Sequence, residues 1–221
     1  MTVSRSHPVL AALLLAGSAC AGQSQHQQEQ QQPTPTRIDH PLAVFAGRPM
    51  VVLPTRFVRD GDPMGWAAAI PNAREFLASV DAEIGFALKE RDLGSNWIMP
   101  DALVRSARRN AAFVTDPHTL AAERLRPPIR RKIEQLPEPL ASQLRSLVAL
   151  NDARYVLYPL EVRFEPADEG KGRAVLNVLV LDARLSTVMW MGDVASDPVE
   201  SFSPGLAAGV ANRLADLIAA P

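Results

Sequence analysis

Cysteine and histidine, two of the residue types that most often carry out chemistry in proteins, are few in this sequence and form no catalytic pattern. It has one cysteine, Cys20, and four histidines, His7, His26, His40 and His118, which are far apart along the chain. No HExxH, CxxC, GxSxG, GxGxxG or P-loop pattern occurs, so the spacings typical of metalloproteases, redox thiols, acyl-transfer serines and nucleotide-binding loops are missing. The sequence therefore predicts no catalytic residue and no cofactor.

Three carboxylates towards the C-terminus are the candidates for a cation site. Asp182, Asp193 and Asp197 could gather near the end of one hairpin, and carboxylate oxygens are the ligands that hard cations prefer. Asp182, however, is placed to end a strand and to pair with Arg184 two residues later. We therefore predict a structural role for Asp182 and no metal site.

The three tryptophans are expected at different depths. Trp97 and Trp190 lie in predicted strands, where large aromatic side chains belong to the core or its rim. Trp66 follows the glycine of the loop "DGDPMGW", and loops carry many of the residues that contact partners. Trp66 is therefore the candidate for an exposed partner contact.

The first 19 residues have the layout of a signal peptide. Arg5 supplies a positive n-region, and "PVLAALLLAG" supplies an apolar h-region followed by small residues. Because a cysteine comes directly afterwards, the segment resembles the lipobox of bacterial lipoproteins, which implies cleavage before Cys20 and lipidation of its thiol. The alternative is an ordinary secretory signal cut after Ala19 or Ala21, with Cys20 incidental.

The rest of the chain divides into a tether and one domain. Residues 20–44 include the Gln-rich "QSQHQQEQQQPTPT", which has no apolar group to bury and is predicted to be disordered. Residues 45–221 are predicted to form a periplasmic α/β domain, since the chain is 47% hydrophobic and 21% charged. A net charge of -1 gives no reason to expect nucleic acid or an anionic membrane surface as a partner.

The spacing of apolar residues along the chain predicts an α/β (α+β) fold, with a single mixed β-sheet of about five strands packed against helices. The middle C-terminal strand, "GRAVLNVLVLDAR", is apolar on both faces and is expected inside the sheet, while Pro159 predicts a bulge or an edge in the strand before it. The predicted elements in chain order are a strand at 49–57, a helix capped by Asn72, a strand in "SNWIM", a helix from Pro100 through Val104, short helices within 113–150, a three-stranded antiparallel meander, and a C-terminal helix beginning at Ser203 and Pro204.

Several of these segments resemble one family of periplasmic domains. "VVLPTRF", "LGSNWIM", "LNDARYVLYPLEVRF" and "VLDARLSTVMWMGDV" are similar to the domain shared by the N-terminal part of TolB, the curli secretion lipoprotein CsgG and the LpoB-type activators of penicillin-binding proteins. In that family the last hairpin has an aspartate at the end of one strand and a tryptophan in the next, and Asp182 and Trp190 occupy these positions. "RLSTV" replaces the usual glycine of the turn. The resemblance implies an envelope domain whose motif is structural.

These features predict a lipid-anchored, non-enzymatic cell-envelope protein that holds a partner protein at the periplasmic face of a membrane. The domain surface or a sheet edge would contact the partner, and the membrane would be reached by the lipid anchor only. Ala21 and Gly22 follow the cysteine where an aspartate would resemble an inner-membrane retention signal, which favours the outer membrane. The alternatives are an envelope hydrolase with an unrecognised site and an oligomeric secretion-channel component.

Overall fold

The computed structural model describes residues 40–126 and 134–219. The predicted signal peptide, Cys20 and most of the predicted tether lie outside these residues, as does most of the basic segment "RPPIRRK". The fold described below is that of the predicted domain.

The domain is built on one mixed sheet of six strands, which confirms the predicted fold class. The strand order is β3-β1-β4-β5-β6, and β2 pairs with β4 beyond the end of β1. β1, β2 and β3 are parallel to their neighbours, whereas β4, β5 and β6 form the predicted antiparallel meander. The strands are β1 (Met50–Val52), β2 (Phe57–Val58), β3 (Trp97–Ile98), β4 (Tyr155–Pro166), β5 (Gly172–Asp182) and β6 (Thr187–Ala195).

The sheet has six strands because the predicted strand at 49–57 is divided in two. Pro54 has no backbone N–H to donate to a neighbouring strand, and it lies between β1 and β2. On the facing strand β4, the register shifts between Pro159 and Glu161, which confirms the bulge predicted at Pro159. Pro54 therefore separates the parallel strands β1 and β2, and the bulge at Pro159 interrupts the antiparallel pairing of β4 with β5.

Helices cover both faces of the sheet. The described part of the chain has four α-helices, α1 (Ala73–Lys89), α2 (Pro100–Arg109), α3 (Leu140–Leu150) and α4 (Gly205–Ile218), and four short 3-10 turns at 43–45, 117–119, 123–125 and 168–170. α1 and α4 pack with one face of the sheet, and α2 and α3 pack with the other. Among these described residues, no helix is both long and apolar enough to cross a membrane.

The central strands are buried on both faces, as predicted for β5. Leu176, Val178 and Val180 point into the core under α1 and α4, whereas Leu179 and Leu181 point into the core under α2 and α3. Full burial of an aliphatic side chain contributes about 1.5–3 kcal/mol, so this strand is a principal source of the domain's stability.

Two predicted helix boundaries are corrected by the structure. α2 continues past Val104 to Arg109, because Ala107 extends its buried stripe. α4 begins at Gly205 with Pro204 as its N-cap, and no side chain caps it. Before residue 45, Leu42 is fully buried and donates its N–H to the carbonyl of Leu217 at 3.1 Å.

Candidate functional site

A groove of about 1010 Å³ lies between α1 and α2. Pro54, Thr55 and Arg56 follow β1 and form one part of its lining, and Met99 and Pro100 follow β3 and form another. Both segments lie at the carboxyl ends of their strands. Because β1 and β3 are parallel, these ends meet at the same end of the sheet, where open α/β sheets most often bind ligands. The fold therefore places a candidate binding site at this end of the sheet.

The floor of the groove holds an aspartate whose pKa is perturbed. Asp81 Oδ1 accepts a hydrogen bond from the backbone N–H of Thr55 at 2.8 Å and another from its hydroxyl at 2.5 Å. Burial raises the pKa of Asp81 to about 6, Thr55's hydrogen bonds oppose the rise, and the charge of Asp101 adds to it. A perturbed carboxyl group in a groove is typical of functional sites. No local sequence pattern indicates the contact of Asp81 with Thr55, because the two residues are 26 positions apart.

A second charged cluster surrounds a buried glutamate of β4. Glu161 is only 1% exposed, and its carboxylate forms ion pairs with Arg59 and, at 2.6 Å, with Arg126. The guanidinium of Arg126 also lies 4.4 Å from the ring centre of Phe57, where a cation interacts favourably with the ring. These contacts join β2, β4 and the segment after the turn at 123–125, so the cluster has a structural role.

Each of the three C-terminal carboxylates forms an ion pair with a different arginine. Asp182, Asp193 and Asp197 lie 2.6 Å, 2.8 Å and 2.7 Å from Arg154, Arg163 and Arg213, respectively. These contacts occupy at least one oxygen of each carboxylate. Across residues 40–126 and 134–219, no group of three or more His, Cys, Asp or Glu side chains is arranged to hold a metal ion.

The predicted pairing of Asp182 with Arg184 is wrong for the side chains. Arg184 contributes only its backbone N–H, which donates to Asp182 Oδ1 at 3.1 Å, while the ion pair is made by Arg154, which lies just before β4. Burial alone would raise the pKa of Asp182, but hydrogen bonds from Arg154 and from the backbone of Leu185 lower it. Asp182 ends β5, as predicted.

Trp66 is less exposed than its loop position predicts. Asp62 accepts hydrogen bonds from three backbone N–H groups of this loop, including that of Trp66 at 3.0 Å. The half-buried indole then packs edge-on against Phe164 and Phe202, with ring centres 5.9 Å and 6.2 Å away. Trp66 thus helps to pack the domain, and a partner contact through its remaining exposed edge stays a prediction.

Trp97 and Trp190 lie where the sequence predicts, one in the core and one at its rim. Trp97 is buried at 7% exposure and packs beneath α1. Trp190 is half-buried on β6 and its ring lies over Gly192, where an added Cβ would come within 2.4 Å of the indole. Gly192 is therefore needed for this packing.

The outer edge of β6 is the second candidate surface. Within the described residues, only the segment 134–136 pairs with this edge, through Gln135 opposite Thr187 and the N–H of Val188 bonded to Glu134 at 3.1 Å. From Met189 to Ala195 the edge carries no further strand in the part of the chain that the structure describes. An unpaired edge presents backbone donors and acceptors that can bind another strand.

The described domain is thus a mixed α/β domain with a groove at one end of its sheet and an open strand at one edge. No protein-family model matches the sequence, and no curated protein matches it. Similar solved structures include a PelC dodecamer from Paraburkholderia phytofirmans, which is 14% identical, with 81% of this chain and 93% of that chain covered and a TM-score of 0.39.

Two further solved structures are similar at the same level of identity. The C-terminal domain of LpoB from Escherichia coli is 13% identical, with 70% of this chain and 85% of that chain covered and a TM-score of 0.39. Lipoprotein GNA1162 from Neisseria meningitidis is 14% identical, with 71% and 86% covered and a TM-score of 0.33. LpoB belongs to the family that the sequence resembles. At these identities the likenesses concern the fold alone.

Proposed function

We propose that this chain is a lipid-anchored, non-enzymatic envelope protein that holds a partner protein at the periplasmic face of the outer membrane. An extended segment of the partner adds to the edge of β6 as a further strand. The open edge from Met189 to Ala195 is the observation that carries this proposal. Main-chain hydrogen bonds would supply affinity in this mode, and side-chain pockets would supply specificity.

The hydrogen-bond pattern shows which backbone groups face outwards. The N–H of Ser196 points inwards, since it donates to the carbonyl of Ala174 at 2.9 Å. Antiparallel pairing alternates between inward and outward residues, and the register from Trp190 to Ala195 is unbroken. Met191, Asp193 and Ala195 therefore turn their N–H and C=O groups towards a partner.

The side chains of β6 leave this edge open to pairing. Natural edge strands are commonly protected by lysine, proline or inward-pointing charges. β6 has no lysine or proline, and its one charged residue, Asp193, is ion-paired with Arg163 at 2.8 Å. Met189 is 52% exposed beside this edge, and Leu185 is 61% exposed just before the strand. An extended apolar segment is the partner chemistry that fits.

Replacing Met191 with proline is expected to weaken this contact without breaking the β5–β6 ladder, because the lost N–H faces outwards. One hydrogen bond contributes about 1 kcal/mol, so the yield of a partner adduct should fall at least about fivefold. The measurement is photo-crosslinking in intact cells from a benzoylphenylalanine at position 189. The matched control is Met191→Ala, which keeps the N–H and should retain the adduct.

A photo-crosslinker at Phe113, which is 81% exposed and far from β6 in the sequence, tests whether any exposed apolar position captures the same protein. We expect a crosslinker at position 189 to give an adduct with one heterologous protein, and a crosslinker at position 113 to give no adduct with that protein. Equal adducts from both positions, or an adduct unaffected by Met191→Pro, would contradict edge binding. A ladder of self-adducts alone would favour an assembly of copies of this chain.

The anchor is tested separately by Cys20→Ala. Removing the thiol prevents lipidation, and we expect the protein to move from the membrane fraction to the soluble periplasmic fraction with an unchanged melting temperature. A single acyl chain already binds membranes marginally, and two or more bind stably, so the shift should be nearly complete. Gly22→Ala keeps Cys20 and should stay with the membrane. If the Cys20→Ala variant still fractionates with membranes, Cys20 is not the anchor.

A further inference from the structure

Three arginines line the groove between α1 and α2. Arg74 lies in the first turn of α1, and Arg105 and Arg108 lie three residues apart on α2, on neighbouring positions of one helix face. Within the described residues, none of the three forms an ion pair or a side-chain hydrogen bond. Many other arginines of the domain are paired, among them Arg91, Arg154, Arg163 and Arg213.

The groove lining also contains Arg56, Asp101, Asp116 and His118, so its four arginines face three aspartates, counting Asp81. Arg56 lies 3.8 Å from Glu123, and Asp116 accepts a hydrogen bond from the backbone N–H of His118 at 2.9 Å. Unpaired guanidinium groups bind carboxylates and phosphates through two parallel hydrogen bonds, and the rim therefore favours an anionic ligand.

Asp81, on the floor of the groove, requires a ligand that donates hydrogen bonds. Both hydrogen bonds from Thr55 end on Asp81 Oδ1, so neither uses Oδ2. An ionised carboxylate only accepts hydrogen bonds, and a fully ionised phosphate has no proton to donate to it. A peptide satisfies both parts of the groove, because its acidic side chains accept from arginines and its main-chain N–H groups can donate to Asp81.

The shape of the groove also suits an extended chain. Ala78, Ala82 and Gly85 line its α1 wall, and small side chains let a main chain approach closely. At a rise of 1.5 Å per residue, the wall from Arg74 to Gly85 is about 16 Å long, which matches about five residues of extended peptide. Its volume of about 1010 Å³ lies at the upper end of the range for small-molecule pockets.

We propose that this groove binds an extended acidic peptide segment of a protein partner. Carboxylates of the segment contact Arg74, Arg105 and Arg108, and a main-chain N–H contacts Asp81. The groove adjoins β3, at the edge of the sheet opposite to β6, so this contact is additional to strand addition at β6. Each of the two surfaces can fail its test without affecting the other.

The test is fluorescence anisotropy with the detergent-solubilised full chain at low ionic strength. The probe is a labelled peptide of alternating glutamate and alanine, and the matched peptide has glutamine for glutamate. Arg74→Gln/Arg105→Gln/Arg108→Gln should weaken binding of the glutamate peptide at least about tenfold, because a hydrogen bond to a charged group contributes about that factor or more. Arg48→Gln/Lys89→Gln/Arg124→Gln removes the same charge from residues outside the groove lining and should change binding less than about threefold.

A second variant blocks the groove without changing its charge. Ala82 is exposed on the groove wall, so Ala82→Trp should leave the fold intact and reduce peptide binding at least about tenfold. The proposal is overturned if the glutamate peptide does not bind at millimolar concentration, if both arginine variants weaken binding equally, or if Ala82→Trp leaves binding unchanged. Binding of inorganic phosphate or phosphatidylglycerol vesicles that depends on the three arginines, in place of peptide binding, would assign the groove to phosphate groups instead.

Discussion

Replacing Glu161 with alanine is expected to lower the free energy of unfolding by about 3 kcal/mol, since removing one partner of a buried ion pair costs about 3–5 kcal/mol. The lower end applies because Arg59 and Arg126 are 33% and 37% exposed, so water can rehydrate them in part. The loss also leaves two like charges side by side at the junction of β2 and β4. Urea denaturation of the full chain at pH 7 measures the change.

An exposed ion pair provides the matched control for this variant. Asp197 pairs with Arg213 at 2.7 Å, but the two side chains are 80% and 52% exposed. Exposed pairs contribute about 0–1 kcal/mol, so Asp197→Ala should lower stability by less than about 1 kcal/mol. Equal losses for Glu161→Ala and Asp197→Ala would show that the buried cluster does not hold β2 against β4.

Replacing Asp81 with asparagine is expected to remove a loss of stability that the wild type undergoes between about pH 4 and pH 6. Asparagine keeps an oxygen to accept both hydrogen bonds of Thr55, and it carries no charge to desolvate. We therefore expect the variant to match the wild type near pH 4 and to be about 2 kcal/mol more stable at pH 7. Urea denaturation of both proteins across this range gives the difference.

The direction of this pH dependence follows from the protonation of Asp81 in the folded and unfolded states. Burial raises the pKa of Asp81 from 3.8 in the unfolded chain to about 6 in the folded domain, so between these values the folded state binds more protons. Stability then falls as pH rises through this window. Asp62, Asp182 and Asp193 have lowered pKa values and lose their contribution at lower pH, as pH falls below 3.8.

Subtracting the wild type from Asp81→Asn removes these other contributions, because both proteins share them. A difference in stability that stays constant from pH 4 to pH 7 would show that Asp81 has an ordinary pKa. A difference that grows as pH falls would have the wrong sign for a buried carboxyl group.

Much of the domain could be predicted from the sequence because local patterns determine it. Asn72 accepts hydrogen bonds from the N–H groups of Arg74 and Glu75, as expected for the predicted helix cap. The two-sided apolar pattern of β5 required burial on both faces, and the sheet provides it. Pro159 was expected to disturb its strand, since it has no N–H, and the bulge lies there.

The last hairpin shows where a local pattern was incomplete. The family's turn glycine is absent from "RLSTV", yet Ser186 adopts the left-handed conformation, with φ of 55°, that a glycine would favour. The guanidinium of Arg145 on α3 donates to its hydroxyl at 2.6 Å. This contact comes from a residue 41 positions away, so no local pattern could indicate it.

By itself, the sequence determined the elements and the interior strands of this domain, because hydrophobic period, caps and prolines act over a few residues. Only the tertiary structure decided which charged groups meet. Asp81 with Thr55, Glu161 with Arg126 and Asp182 with Arg154 are 26, 35 and 28 residues apart, respectively. The burial that raises the pKa of Asp81 and the exposure of one edge of β6 likewise depend on how distant segments pack, and both candidate surfaces arise from that packing.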